Sequence, residues 1–247
     1  MSSVALVTGA AQGLGQFIVK KLYETGYSVV ATDANLNGVE ELALGLDPSG
    51  KKVLPLRLDV LEKENFIQAL EKTIEIFGSC DLLVNNAALT PTTPVLEISA
   101  EEFNQVININ LRGTFFGCQV FGEYFAKNDY GRIVNLASLA GQTGGAAAGA
   151  HYASSKGGIL TLTKIFARQF ADAKVTVNAI APGPIDVPSI RDKIPAEKLK
   201  EIIENMIPVK SMSDPDFIAD MVVMLADKNA GTVTGACWDI NGGIFMR

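Results

Sequence analysis

Six short apolar runs, each followed by a longer amphipathic stretch, recur along almost the whole of this 247-residue chain. They are VALVTG (4–9), SVVATD (28–33), KVLPLRLDV (52–60), DLLVNNA (81–87), RIVNLAS (132–138) and KVTVNAIAP (174–182). Strands of near-continuous hydrophobicity are buried on both faces and belong to a parallel sheet with helical crossovers. The stretches between them predict helices over 13–26, 36–46, 62–77, 99–127, 150–172 and 214–227, with a last strand ending at CWDIN (237–241). Right-handed crossovers then give a doubly wound α/β fold of about seven parallel strands, with ligands at the carboxyl ends of the strands. Residues 183–211 alone read as loop-rich, and such a segment beside a sheet edge makes 184–212 a candidate substrate lid. No repeat or linker divides the chain, so residues 1–247 are expected to form one domain.

The bulk numbers exclude several classes of function. Net charge is −6, and the densest basic clusters are the pairs Lys20-Lys21 and Lys51-Lys52. Neither nucleic acid nor an anionic membrane surface is therefore an expected partner. Cys80, Cys118 and Cys237 are odd in number and lack metal spacing, and His151 is the single histidine, so no metal site is expected. No apolar run reaches the ~18 residues of a membrane span. The opening MSSVALVTGAAQGLG lacks the charged start and apolar core of a secretion signal. With thiols that read as reduced, the expectation is a cytoplasmic protein.

TGAAQGLG (8–15) follows the first strand and opens the first helix. Gly9, Gly13 and Gly15 permit a tight turn and a close backbone approach, and the helix N-terminus at Leu14 offers free N–H groups to a pyrophosphate. The spacing is G-x-x-x-G-x-G, with Gln12 inside the turn. Asp33 ends the second strand, where a carboxylate accepts both adenosine ribose hydroxyls and repels a 2′-phosphate. Ala34 and Asn35 follow it, and the nearest basic residues in sequence, Lys20 and Lys21, lie further down the helix. NAD is the expected cofactor, rather than NADP.

YASSK (152–156) places Tyr152 and Lys156 four residues apart. On a helix they share one face. An ammonium near a phenol favours the phenolate, and so makes an acid/base catalyst working near neutrality.

Taken together, TGAAQGLG, Asp33, LDV (58–60), NNAA (85–88), Asn110 in NINLRGTFF, Ser138 in NLAS, Tyr152 and Lys156 in HYASSKGG and PG (182–183) resemble the short-chain dehydrogenase/reductase family along essentially the full chain. The resemblance implies a homotetramer that interconverts a secondary alcohol and a ketone by hydride transfer. Tyr152 would be the general acid/base, and Ser138 would stabilise the developing alkoxide. Lys156 would lower the tyrosine pKa and hold the nicotinamide ribose. Asn110 would fix a water between Lys156 and solvent. The resemblance also places Asp59, Val60 and Asn86 around the adenosine, and Pro182, Gly183 and the Ile185 backbone at the carboxamide.

Three departures bear on the substrate. Val187 stands where a threonine is common, leaving Ser189 or the backbone to make that contact. Ala88 replaces a frequent glycine, and LAGQTGGAAAGAH (139–151) is rich in small residues. Thr90, Thr92 and Thr93 could reach the cleft, although Ser99 and Glu102 already make a capping box for the next helix. His151 is expected at the surface. Ile244, Phe245 and Met246 would be exposed on a monomer, and Arg247 could reach a neighbouring cleft.

The leading expectation is an NAD-dependent dehydrogenase of a small or medium carbonyl compound. A 3-oxoacyl-(acyl-carrier-protein) reductase ranks second, because Asp129 and Ala173 fall where such reductases resemble one another in arginines. An NAD-sensing protein without turnover is the alternative from another class.

Overall fold

The computed structural model describes residues 3–145, 149–191 and 195–247. Its strands are β1 (Val4–Thr8), β2 (Ser28–Asp33), β3 (Val53–Arg57), β4 (Leu82–Asn85), β5 (Gly131–Leu136), β6 (Val175–Pro182) and β7 (Cys237–Ile240). They form one parallel sheet in the order β3-β2-β1-β4-β5-β6-β7. The order reverses direction between β1 and β4, which is where a doubly wound sheet opens a crevice. Pro55 is tolerated inside β3 because that strand lies at the sheet edge.

The helices are α1 (Leu14–Glu24), α2 (Leu36–Leu46), α3 (Lys63–Phe77), α4 (Ala100–Val106), α5 (Gly113–Lys127), α6 (Ala140–Thr143), α7 (Ala150–Phe170), α8 (Pro188–Arg191), α9 (Ala196–Met206) and α10 (Pro215–Ala226). Period-two alternation in the strands builds two cores. Val7 and Val84 face Ile18, Val19 and Leu22 of α1 and Ile218, Val222 and Leu225 of α10. Leu6 and Leu83 face Phe66 of α3, Phe121 and Phe125 of α5 and Phe166 of α7. Each such side chain contributes about 1.5–3 kcal/mol of burial. At the amino end of the sheet, buried Arg132 donates to the carbonyls of Gly131, Lys174, Asp227 and Lys228, tying β5 to the ends of β6 and α10.

Two segments differ from the sequence reading. The helix expected over 99–127 contains a π-helical turn, Ile107–Arg112, between α4 and α5. The loop expected over 183–211 contains α8 and the three-turn α9. Prolines at 188, 195 and 208 bracket these helices and look like loop punctuation, while no residue of α9 is fully buried. The base of that segment is fixed: Ile207 is buried, and the Val209 N–H donates to the Gly242 carbonyl at 3.1 Å.

Candidate active site

Three glycines shape the turn after β1, each for a different reason. A Cβ on Gly9 (φ +68°) would lie 2.6 Å from the Ala87 Cα, and one on Gly15 would lie 2.2 Å from the Gly9 carbonyl. Gly13 (φ +58°) faces open space instead. It precedes α1, whose first turn carries no side-chain cap, and Gln12 stands exposed beside it. Helix N–H groups that no side chain caps, opposite open space, fit a pyrophosphate. Asn86 stands against this turn, half-buried beside Gly15. Its amide donates to the carbonyls of Thr8 (3.0 Å) and Gly9 (2.9 Å), so it holds the turn in shape. Thr8 completes the lock, its hydroxyl accepting from the N–H groups of Asn86 and Ala87.

Asp33 reaches back across this turn. One carboxylate oxygen accepts from the Ala11 N–H at 3.0 Å and the other from the Asn35 N–H at 2.9 Å. Each oxygen keeps a lone pair for a ribose hydroxyl. Sequence proximity missed one cation here, because Arg57 is the register partner of Asp33 on β3 and stands exposed beside it. After β3, Asp59 turns the chain by accepting from the Leu61 N–H, and Val60 packs against the face of Gly113.

The second half of the site gathers at the carboxyl ends of β5 and β6. Ser138 follows β5, its hydroxyl accepting from the Ala140 N–H at 3.1 Å. The Leu139 N–H donates to the Pro182 carbonyl, and the Gly183 N–H to Ile240, which joins β5, β6 and β7 at this rim. Ile185 bridges to Ser213 just beyond it, and Val187 is buried. The side chain of Ser189 and residues 146–148 of the small-residue stretch lie outside the described residues. Glycine again allows a close approach: a Cβ on Gly141 would sit 2.6 Å from the Gly157 nitrogen and the Lys156 carbonyl carbon. Helix α6 therefore rests directly on the backbone of α7 at the lysine.

Tyr152 and Lys156 share one face of α7, but their electrostatics differ from the sequence expectation. The Lys156 ammonium lies 5.7 Å from the Tyr152 ring centroid and donates to the Leu136 carbonyl at the end of β5. Burial lowers the lysine to about 8. Burial also raises the Tyr152 phenol, against smaller opposing contributions from hydrogen bonds to Ser138 and Thr90. With the ammonium aimed at a carbonyl, desolvation decides the direction for both groups. The phenol is thus protonated at neutral pH, with two hydroxyls around its oxygen. Of the three threonines weighed in the sequence, Thr90 is the one placed against the phenol.

Asn110 sits fully buried in the π-helical turn. Its side-chain oxygen accepts from the Leu89 N–H at 2.8 Å, and its amide donates to the Leu89 carbonyl (2.9 Å) and the Ser155 hydroxyl (3.0 Å). Both amide hydrogens are used, so its side chain has none left to donate to the expected water. It ties the loop after β4 to α7 instead.

His151 is the clearest correction, being fully buried rather than at the surface. A small residue at Gly149 makes room for its ring, and Glu102 on α4 supplies a partner. At the C-terminus, Met246 is exposed while Ile244 and Phe245 are half-buried. Arg247 pairs with Asp239 of its own chain at 2.8 Å.

The model for a family described as enoyl-(acyl carrier protein) reductase matches residues 9–244. The 3-oxoacyl-(acyl-carrier-protein) reductase of Thermotoga maritima is 33% identical over 243 residues, covering 98% of each chain. The (2S)-((R)-hydroxy(phenyl)methyl)succinyl-CoA dehydrogenase subunit of Thauera aromatica is 34% identical over 240 residues, covering 97% of this chain and 95% of that one. Among solved structures, a short chain dehydrogenase from Bacillus anthracis superposes with a TM-score of 0.89 at 29% identity, covering 99% of this chain and 97% of that chain.

Proposed function

The chain belongs to the short-chain dehydrogenase/reductase family and is an oxidoreductase of that family; from that premise we propose that it interconverts a 3-oxoacyl and a 3-hydroxyacyl thioester with NAD(H). The carrying observation is the meeting of Ser138, Tyr152, Lys156 and the tie from Asn110 at the carboxyl edge of β5. A 3-oxoacyl thioester is the substrate class in the names of the Thermotoga maritima reductase and its staphylococcal counterparts. The Thauera aromatica relative adds a hydroxyacyl-CoA. These names raise the thioester reading above the general alcohol dehydrogenase that the sequence put first.

The nicotinamide cofactor supplies or accepts the hydride. Gly13, Leu14 and Gly15 would hold its pyrophosphate, Asp33 its adenosine ribose, and Asp59 and Val60 would flank the adenine. Lys156, with Pro182, Gly183 and Ile185, would take the nicotinamide end. The Tyr152 phenol, protonated when the site is empty, donates its proton to the substrate oxygen in reduction and takes it back in oxidation. Ser138 donates a hydrogen bond to the same oxygen as negative charge develops there. Support for NAD comes from the Asp33 carboxylate and its two free lone pairs. The net charge of −6, with Asp129 exposed on the α5–β5 turn, gives no electrostatic steering toward the acidic acyl carrier protein.

The proposal includes residues 184–212 as the lid, closing on the base fixed at Gly242. It includes a homotetramer, supported by the exposed apolar side chains of Phe103, Ile165 and Met246. It also keeps the cytoplasmic location, consistent with three free thiols. The test compares acetoacetyl-CoA plus NADH and NADPH with secondary alcohols and polyols plus NAD. Turnover of the thioester well above every simple alcohol supports the reading, and the reverse order restores the general dehydrogenase.

A further inference from the structure

The loop that follows β4 is fastened at three points. Leu89 is held by both of its backbone groups on Asn110. The Pro91 carbonyl accepts from the Gly149 N–H at 3.1 Å, immediately before α7. Thr93 donates its hydroxyl to Glu102 at 2.6 Å. Thr90, which hydrogen-bonds to the Tyr152 phenol, lies between the first two points.

The third point has an unusual construction. Ser99 and Glu102 have capping-box spacing, and the Ser99 hydroxyl does accept from the Glu102 N–H at 3.1 Å. The Glu102 carboxylate goes elsewhere. One of its oxygens accepts from both Thr93 and the His151 ring, the latter at 3.1 Å. Hydrogen bonds from Thr93 and then His151 hold the carboxyl below its ordinary range, so at neutral pH it only accepts. His151 Nε2 must therefore carry the hydrogen of that bond. Nδ1 is buried without a partner among the described residues, against Gly149, where a Cβ would come within 2.6 Å. A buried imidazole that satisfies one nitrogen and leaves the other empty costs stability. A leucine would fill the same space more cheaply, so packing alone does not account for it.

We propose that His151 is a positioning residue: through Glu102 and Thr93 it fastens loop 89–94 to the helix carrying Tyr152, and so fixes the wall against which the substrate chain lies. The substrate part of this inference rests on the proposed reaction; the fastening does not. Histidine suits the task because its adjacent residue is the acid/base itself. One turn of α7 then sets both the phenol and, through a side chain pointing about 100° away, the loop that faces it.

The test uses His151→Ala, His151→Gln and Thr93→Val in the full chain. Glutamine reaches about as far as Nε2 and can still donate to Glu102. The first readout is amide hydrogen exchange of residues 89–94 without cofactor or substrate. His151→Ala and Thr93→Val should speed it about tenfold, as expected for losing one hydrogen bond to a charged group, and His151→Gln should restore it. The second readout is steady-state kinetics with acetoacetyl-CoA and NADH. The two loosened variants should raise the thioester KM about tenfold while kcat and the NADH KM move far less. Unchanged exchange in both loosened variants would overturn the fastening. A parallel rise in the NADH KM, or His151→Gln behaving like alanine, would reduce His151 to a folding role. If no thioester turns over although NADH binds, the reaction proposal fails, and the exchange data still decide the fastening.

Discussion

Replacing Asp33 with Ala should invert the cofactor preference. In the wild type each carboxylate oxygen already accepts one backbone N–H, from Ala11 at 3.0 Å or from Asn35 at 2.9 Å, which leaves one acceptor site on each for the two ribose hydroxyls. Hydrogen bonds to a charged group contribute roughly 1.5 kcal/mol or more apiece, so losing two costs about 3 kcal/mol. At 1.4 kcal/mol per tenfold, NADH affinity should fall about a hundredfold. NADPH should move the other way. The substitution removes a negative charge facing the 2′-phosphate and leaves Arg57, the register partner on β3, unopposed one strand spacing (about 4.8 Å) away. A cation at that range in partly solvated surroundings gives about 1 kcal/mol or more, or a five- to tenfold gain. Titration of the two reduced cofactors by fluorescence, with thermal unfolding as a control for the lost loop bonds, reads both numbers. NADH affinity within about threefold of wild type would refute the assignment of Asp33 to the ribose, as would a wild type that already prefers NADPH.

Three further outcomes follow from the packing around the site. Burial lowers Lys156 from its ordinary 10.5 to about 8. The folded state therefore binds fewer protons than the unfolded chain between those values, and stability should rise with pH across that window. Lys156→Met should remove this dependence and raise the melting temperature at pH 7, by up to about 3 kcal/mol in stability, while abolishing turnover. Gly141→Ala places a methyl group 2.6 Å from the backbone at residues 156 and 157. It should destabilise by about 1–3 kcal/mol and cut kcat through displacement of the lysine, which urea unfolding and rate measurements read separately. Arg132→Ala removes one donor from each of four carbonyls, of which Asp227 keeps the Ala230 N–H, and should cost about 3 kcal/mol in urea unfolding, with cofactor affinity in the folded protein unchanged.

Much of this architecture was legible in the chain because parallel strands advertise themselves as unbroken apolar runs. The glycine turn was legible because Gly9 and Gly13 need positive φ and Gly15 needs the absence of a side chain. What escaped depends on partners distant in sequence. His151 looked like a surface residue because a neighbour-by-neighbour reading of α7 cannot see Glu102 approaching from α4, 49 residues earlier. Arg57 escaped for the same reason, since strand register, not sequence proximity, brings it to Asp33. The Tyr152–Lys156 spacing showed the shared face, but not the Leu136 carbonyl that draws the ammonium away. Helix α9 was hidden by its flanking prolines, although Leu199, Ile202, Ile203 and Met206 recur along it at helical spacing.

The central claim is that the Tyr152 phenol transfers the proton in a hydride-transfer reaction on a 3-oxoacyl thioester. The most direct test is a single-turnover measurement of NADH oxidation by acetoacetyl-CoA with the wild type and Tyr152→Phe, each saturated with cofactor. The account predicts a rate lower by roughly 100-fold or more in Tyr152→Phe, as for loss of a general acid, with NADH affinity unchanged. A variant that reduces the thioester at the wild-type rate would contradict it.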